Sequence, residues 1–253
     1  MDPAPSDHLR EIYERRAELQ YAEPAPLPDP RVDRKFARML ALTSRCLPAE
    51  SLLDAGCGDG RFLAALARLP TRPTRLVGVD ISERILATAA RTVEREGGTA
   101  EFVRSNLEAL PFASESFDLV LSVQVVEHLL GVEEGIRELA RVLKRGGRLI
   151  LSTDSSRNLV SRGLNAPRSA VVGALRLHGR RAAVTFPHRT FAPDEITHLV
   201  EAAGLAVEHR ETFRFHVDGV SAPLVQRALN RLDEALPRHG LGDIVAIVAR
   251  RDR

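Results

Sequence analysis

Asp54 closes the apolar run Leu52-Leu53 and stands two residues before the first of three alternating glycines, Gly56, Gly58 and Gly60. Glycines so spaced suit a loop over which a ligand lies, because they tolerate backbone angles and close approaches that a Cβ forbids. A second acid, Asp80, ends the apolar run Leu76-Val-Gly-Val-Asp80, twenty residues after Gly60. A carboxylate at the end of the second strand of such a unit can accept both hydroxyls of a ribose. The loop does not suit a dinucleotide: G-x-G-x-x-G would put its third glycine at position 61, where Arg61 stands. Asp54 would also repel a diphosphate, and it suits a ligand carrying positive charge. Proton transfer near neutral pH calls for histidine. His128, in Ser122-Val-Gln-Val-Val-Glu-His-Leu129, and His188, in Pro187-His-Arg-Thr-Phe191, are the two candidates for a base. The neighbouring Glu127 reads more readily as a surface acid than as a site residue. The other histidines (8, 178, 198, 209, 216, 239) are scattered and read as structural or solvated.

Strands and helices must carry these groups. After the glycine loop, apolar residues at 62, 63, 66 and 69 have helical spacing, and Asp59 reads as a cap for that helix. Ser82 is placed to cap a helix through Ile85, Leu86, Ala89 and Val93, which Gly97-Gly98 ends. Glu138 to Lys144 reads as an amphipathic helix, Gly146-Gly147 as its stop and Arg148 to Ser152 as a buried strand. Strand and helix alternate up to residue 152, which predicts an α/β fold with a parallel sheet and helices on both faces. Sites in such sheets lie beyond the carboxyl ends of the strands, and His128 falls just past the fourth. Residues 1–48 form an N-terminal helical extension, with helices at 7–20 and about 31–46 joined by prolines 24, 26, 28 and 30. A helix follows Phe191, with Pro193 near its start and Gly204 after its end. Strand candidates at 205–217 and 243–249 flank a helix at 223–236.

D-x-G-x-G-x-G after a strand resembles the first motif of the class I S-adenosylmethionine-dependent methyltransferases. Their cofactor carries an ammonium group and a sulfonium and no phosphate. Asp80 supplies a second motif. Ser105-Asn-Leu-Glu-Ala-Leu-Pro-Phe112 with Ser116-Phe-Asp-Leu-Val-Leu-Ser122 supplies a third, and Glu138 to Ser152 a fourth. The resemblance covers residues 50–152 closely and 186–204 more loosely. It implies a Rossmann-like seven-stranded sheet within a domain over 49–253, an antiparallel pair of strands at its end and an insertion after the fifth strand. It also implies roles. Asp54 meets the amino end of S-adenosyl-L-methionine; Ala55, Gly56, Cys57, Gly58 and Gly60 lie under its amino-acid portion. Asp80 with Ile81 takes the ribose, Asn106 and Leu107 the adenine, and Val123 flanks the cofactor. The family commonly has Asp where Asn106 stands, but an amide carbonyl still accepts a hydrogen bond. Cys57 reads as a small side chain that fits beside the cofactor. N-terminal helices often cover the active site in this family; here a roof and a surface helix with a tether are equally open.

The chain is similar to ubiquinone- and menaquinone-pathway methyltransferases. The ubiquinone-pathway O-methyltransferases carry Glu-x-x-Glu-His after the fourth strand and can hold a divalent ion there. This chain has Gln124-Val-Val-Glu127-His128. Losing one hard anionic ligand weakens a magnesium or calcium site, so no metal is expected. The expected reaction is methyl transfer to a small-molecule acceptor at oxygen, with transfer to carbon or nitrogen as alternatives. A tRNA methyltransferase, a catalytically inert cofactor-binding partner subunit and, last, a dehydrogenase are the rival readings.

A length of 253 residues with 44% hydrophobic content suits one α/β domain with an extension and an insertion. Cys46 and Cys57 form no C-x-x-C pair, which argues against a disulfide framework or a structural zinc site. The first residues lack a signal peptide's apolar run and no later run reaches membrane-spanning length, so the expected location is cytoplasmic. The net charge of +2 hides an uneven distribution: residues 155–193 hold seven arginines and no Asp, Glu or Lys. The ubiquinone-type enzymes have a membrane-contacting insertion here. These arginines suit peripheral contact with an anionic membrane, an anionic or lipophilic acceptor, or a solvated lid. RNA phosphates are a further fit, but no aromatic platform or added RNA-binding module accompanies them, so nucleic acid is not the expected partner.

Overall fold

Successive strand residues point to opposite faces, and Leu52 and Leu53, adjacent in one strand, are both fully buried. A strand buried on both sides requires helices on both sides. The computed structural model describes residues 5–156, 188–213 and 242–252. Within them seven strands form one sheet in the order β3-β2-β1-β4-β5-β7-β6. Strands β1 (Ser51–Ala55), β2 (Arg75–Asp80), β3 (Glu101–Arg104), β4 (Phe117–Val123) and β5 (Leu143–Asp154) are parallel. β7 (Ile244–Arg251) runs antiparallel between β5 and β6 (Leu205–Phe213). The sequence-based expectation of a seven-stranded sheet ending in an antiparallel pair therefore holds. The expected helix at 223–236 and residues 157–187 of the arginine-rich segment lie outside the described residues.

The strand alternation sorts the core into two layers. Leu53, Val77, Val120 and Leu149 pack against Ile136 and Leu139 of helix α5 (Val132–Val142) and Ile196 and Val200 of α6 (Pro193–Ala202). On the other face, Leu52, Leu76, Leu119 and Ile150 meet α2 (Arg34–Ser44), α3 (Arg61–Ala67) and α4 (Glu83–Arg95). Ser82 caps α4, its Oγ accepting from the Ile85 N–H at 3.2 Å. α2 is built into this layer. Asp33 caps it at 2.8 Å through the Phe36 N–H, and Phe36, Met39 and Leu42 are buried. Each such side chain contributes about 1.5–3 kcal/mol. The Arg38 guanidinium of α2 pairs with the buried Glu211 carboxylate of β6.

Helix α1 (Pro5–Gln20) lies against α4. Glu14 Oε1 accepts from the Glu83 N–H at 2.8 Å, Glu18 pairs with Arg84, and Thr88 Oγ1 donates to the Tyr21 carbonyl at 2.6 Å. One expectation is corrected. Gly146-Gly147 do not stop a helix, because α5 ends at Val142 and β5 begins at Leu143. Gly146, at φ +79°, instead lies within the irregular start of that strand.

Candidate active site

The strand order reverses between β1 and β4, and at such a switch point the connections diverge and leave a crevice beyond the carboxyl ends. A cavity of about 720 Å³ opens there. Its floor is the glycine loop. The N–H groups of Gly56 and Cys57 both donate to the Val79 carbonyl at 2.8 Å, which clamps the loop to the end of β2. Gly58 has φ +53° with nothing within 4 Å of where a Cβ would stand, so the space above it is open. Gly60 has φ +77°, and a Cβ would come within 2.9 Å of the Ala89 backbone. Gly58 serves the cavity; Gly60 serves the packing of α3 on α4.

Three carboxylates surround this loop. Asp80 accepts from the Gly58 N–H on Oδ2 and from the Ser82 N–H on Oδ1, each at 3.1 Å. Each oxygen keeps a lone pair for a hydroxyl. Burial pushes its pKa up to about 6 against the pull of those N–H groups. Asp54 is 1% exposed, and its Oδ2 has no hydrogen-bond partner among the described residues. Burial, then the charges of Asp80 and Asp59, push it to about 8. A buried acid with an unused acceptor is stabilised by a cationic group, and an ammonium supplies one. Asp59 is engaged elsewhere: it grips the Arg61 guanidinium at 2.6 and 2.8 Å at the start of α3. The orphaned carboxylate, the open space at Gly58 and the hydroxyl-accepting Asp80 together fit S-adenosylmethionine.

Of the residues expected at the cofactor, Asp54, Gly56, Cys57, Gly58, Asp80, Ile81, Asn106, Leu107 and Val123 line the cavity. Ala55 and Gly60 do not. Ala55 is fully buried in the core, and Gly60 turns the chain into α3. Asn106 Oδ1 accepts from the Glu108 N–H at 3.1 Å, which holds its side chain in a local turn. Cys57 is buried, and burial pushes its thiol well above the ordinary thiol value.

The opposite wall starts where β4 ends. Gln124 adopts φ +57° and donates its N–H to the Ser152 carbonyl at 3.0 Å, and a 3-10 turn at Val126–His128 follows. This turn carries Glu127 inward. Contrary to the surface reading, Glu127 is 2% exposed and accepts from Thr153 Oγ1 at 2.8 Å. Burial, reinforced by Asp154, pushes its pKa to about 8. The Glu127 carbonyl accepts from the Arg189 N–H at 2.9 Å, drawing the 188–190 segment alongside. The two candidate histidines consequently meet, with the His128 and His188 ring centroids 5.5 Å apart. His188 Nε2 stands 2.9 Å from Asp154 Oδ2. Tyr13, from α1, meets the His128 ring edge-to-face, with centroids 6.3 Å apart.

Asp154 and Tyr13 were not singled out from sequence. Asp154 ends β5 and could have been found by the strand-end rule that located His128. Tyr13 carried no local signal. The two readings of the N-terminal extension separate here: Leu9, Tyr13 and Arg16 of α1 and Lys35 and Phe36 of α2 line the cavity, so the extension is its roof.

A profile of the methyltransferase domain family matches residues 53–151. The chain is 32% identical over 163 residues to the ubiquinone biosynthesis O-methyltransferase of Methylocella silvestris, covering 64% of this chain and 60% of that one. It is 32% identical over 187 residues to the protein of that name from Cereibacter sphaeroides, covering 73% and 72%. Among solved structures, the S-adenosylmethionine-dependent methyltransferase of Mesorhizobium loti superposes with TM-score 0.55 at 21% identity, covering 83% and 96%. The magnesium protoporphyrin IX methyltransferase of Synechocystis, with SAH bound, superposes at 0.63 and 17%, covering 97% and 99%. Those two likenesses concern the fold. With the Cereibacter relative matched over most of its length, a donor-side carboxylate cradle and the family's sheet, the chain belongs to the class I S-adenosylmethionine-dependent methyltransferases.

Proposed function

We propose that the protein moves the methyl group of S-adenosylmethionine to a hydroxyl oxygen of a small-molecule acceptor. The observation that carries this reading is the His188–Asp154 pair, at 2.9 Å, set against His128 across the same cavity as the Asp54–Asp80 cradle. The bound cofactor supplies a sulfonium methyl whose leaving group is already in place. The chain's own residues have two tasks: to hold an acceptor oxygen in line and to take its proton. His188 donates Nε2–H to Asp154, which leaves Nδ1 able to accept a proton. The resulting imidazolium is then stabilised by the Asp154 carboxylate. Roof residues from α1 and α2 exclude water, which strengthens every charge interaction inside. The relatives' names support oxygen as the methylated atom.

Apolar walls at Phe36, Val125 and Leu129, with Lys35 beside them, suit an acceptor that is lipophilic or carries an anionic group. The arginines of 155–193 suit an anionic membrane surface from which a lipophilic acceptor would be drawn. The test is incubation with deuteromethyl-labelled cofactor and a metabolite extract, read by mass spectrometry. A labelled methoxy product is expected. Label found only on nitrogen, on carbon or in tRNA would overturn the reading.

A further inference from the structure

The chain has two tyrosines and no tryptophan, and both Tyr13 and Tyr21 line the cavity. Helix α1 brings Tyr13 there. Leu9, Tyr13 and Ala17 are four residues apart and share one helix face, and Leu9 and Ala17 are 4% and 2% exposed. On the flank of that face, Glu14 and Glu18 hold the helix to the first turn of α4. The ring of Tyr13 therefore has a defined seat. Its centroid lies 6.3 Å from that of His128, with the planes at 73°, an edge-to-face contact. Such pairs prefer one mutual orientation, because the positive ring edge meets the negative ring face. Burial raises the phenol pKa, Arg16 opposes the rise, and Asp80 and Glu127 add to it. Tyr13 thus lines the same cavity as Asp80 of the donor cradle and Glu127 of the opposite wall.

We propose that Tyr13 is a positioning residue for methyl transfer: its ring sets the plane of the His128 imidazole and forms part of the cavity's roof. The proposal rests on the reading that the His128–His188 wall receives the acceptor. Since the contact is made by the ring, Tyr13→Phe should preserve it and Tyr13→Leu should abolish it. The α1 anchors at Glu14, Glu18, Leu9 and Ala17 remain in both variants, so the helix keeps its seat.

The direct measurement needs no acceptor. In histidine-labelled protein the His128 ring C–H resonance, assigned by its loss in His128→Gln, is followed by NMR through a pH titration. The resonance and its midpoint should be unchanged in Tyr13→Phe and displaced in Tyr13→Leu. A resonance common to all three proteins overturns the proposal. Tyrosine emission, which in this chain reports on the cavity alone, should respond to S-adenosylmethionine in the parent protein and in Tyr13→Leu through Tyr21. With catechol as acceptor, kcat should fall at least about tenfold in Tyr13→Leu and stay within about twofold in Tyr13→Phe, with the KM for the cofactor little changed. An equal loss in both variants, or a loss confined to cofactor affinity, also overturns it. Absence of turnover on any hydroxyl acceptor, with the NMR result as expected, would fail the acceptor reading and leave the seat of Tyr13 standing.

Discussion

The Gly58 N–H donates to Asp80 Oδ2 at 3.1 Å and so joins the loop after β1 to the end of β2, two segments twenty-two residues apart in sequence. One carboxylate thereby shapes the loop and presents its remaining lone pairs to the cavity.

Removing that carboxylate should separate binding from folding. In Asp80→Ala the Gly58 and Ser82 N–H groups lose their acceptor and a cofactor ribose loses its partner. A loss of about 1.5–3 kcal/mol in affinity is expected, roughly ten- to hundredfold in Kd. Isothermal calorimetry measures it, with circular dichroism to show that the fold persists. Unchanged affinity in a folded variant would remove the donor-side assignment.

Asp54 should make both stability and binding depend on pH. Its folded pKa of about 8 lies above its ordinary 3.8, so between those values the folded state binds more protons than the unfolded state. Stability from this source is complete below the ordinary value and declines as pH rises through about 8. Glu127, also pushed to about 8, acts with the same sign. The melting temperature of the ligand-free protein should therefore fall on moving from mildly acidic to mildly alkaline buffer, and Asp54→Asn should flatten that fall. A cationic cofactor favours the carboxylate, so binding should release protons, seen as a buffer-dependent calorimetric enthalpy near neutral pH.

Two glycines of the same loop should fail in different ways. Gly60→Ala forces a Cβ to 2.9 Å from the Ala89 backbone at φ +77°. The left-handed conformation alone costs about 1–2 kcal/mol, and the urea midpoint should drop accordingly. Gly58→Ala carries the same left-handed cost at φ +53° but, unlike Gly60→Ala, meets no protein atom within 4 Å, and it fills the space above the loop. Its affinity for the cofactor should fall by more than its stability does. The reverse order in the two variants would contradict the placement of the ligand.

At the acceptor wall, His188→Ala should lower kcat on a hydroxyl acceptor about a hundredfold or more, the usual weight of a general base. Asp154→Asn should lower it less, since it leaves the ring but removes the charge that stabilises its protonated form. Both should bind S-adenosylmethionine as the parent protein does. A fully active His188→Ala would transfer the role to His128.

Much of this was legible locally. A strand, Asp54, alternating glycines and a helix form a contiguous unit whose backbone demands are met by the residues that make it, so the donor half could be read from residues 50–107. The alternation of strand and helix up to residue 152 likewise announced a parallel sheet covered on both faces. The acceptor half could not be read in that way. His128, Asp154 and His188 come from three separate segments, and Tyr13 from a fourth more than a hundred residues from the nearest of them; nothing in their local sequence requires them to meet. Glu127 looked like a surface acid because one turn decides whether a side chain faces water or the core, and the positive φ of Gln124 that begins this turn is invisible in composition. Sequence by itself determined the cofactor's chemistry, because that chemistry is met within one supersecondary unit. Only the tertiary structure decided which distant side chains face it, because convergence of strand ends and the docking of α1 are products of packing across the whole sheet.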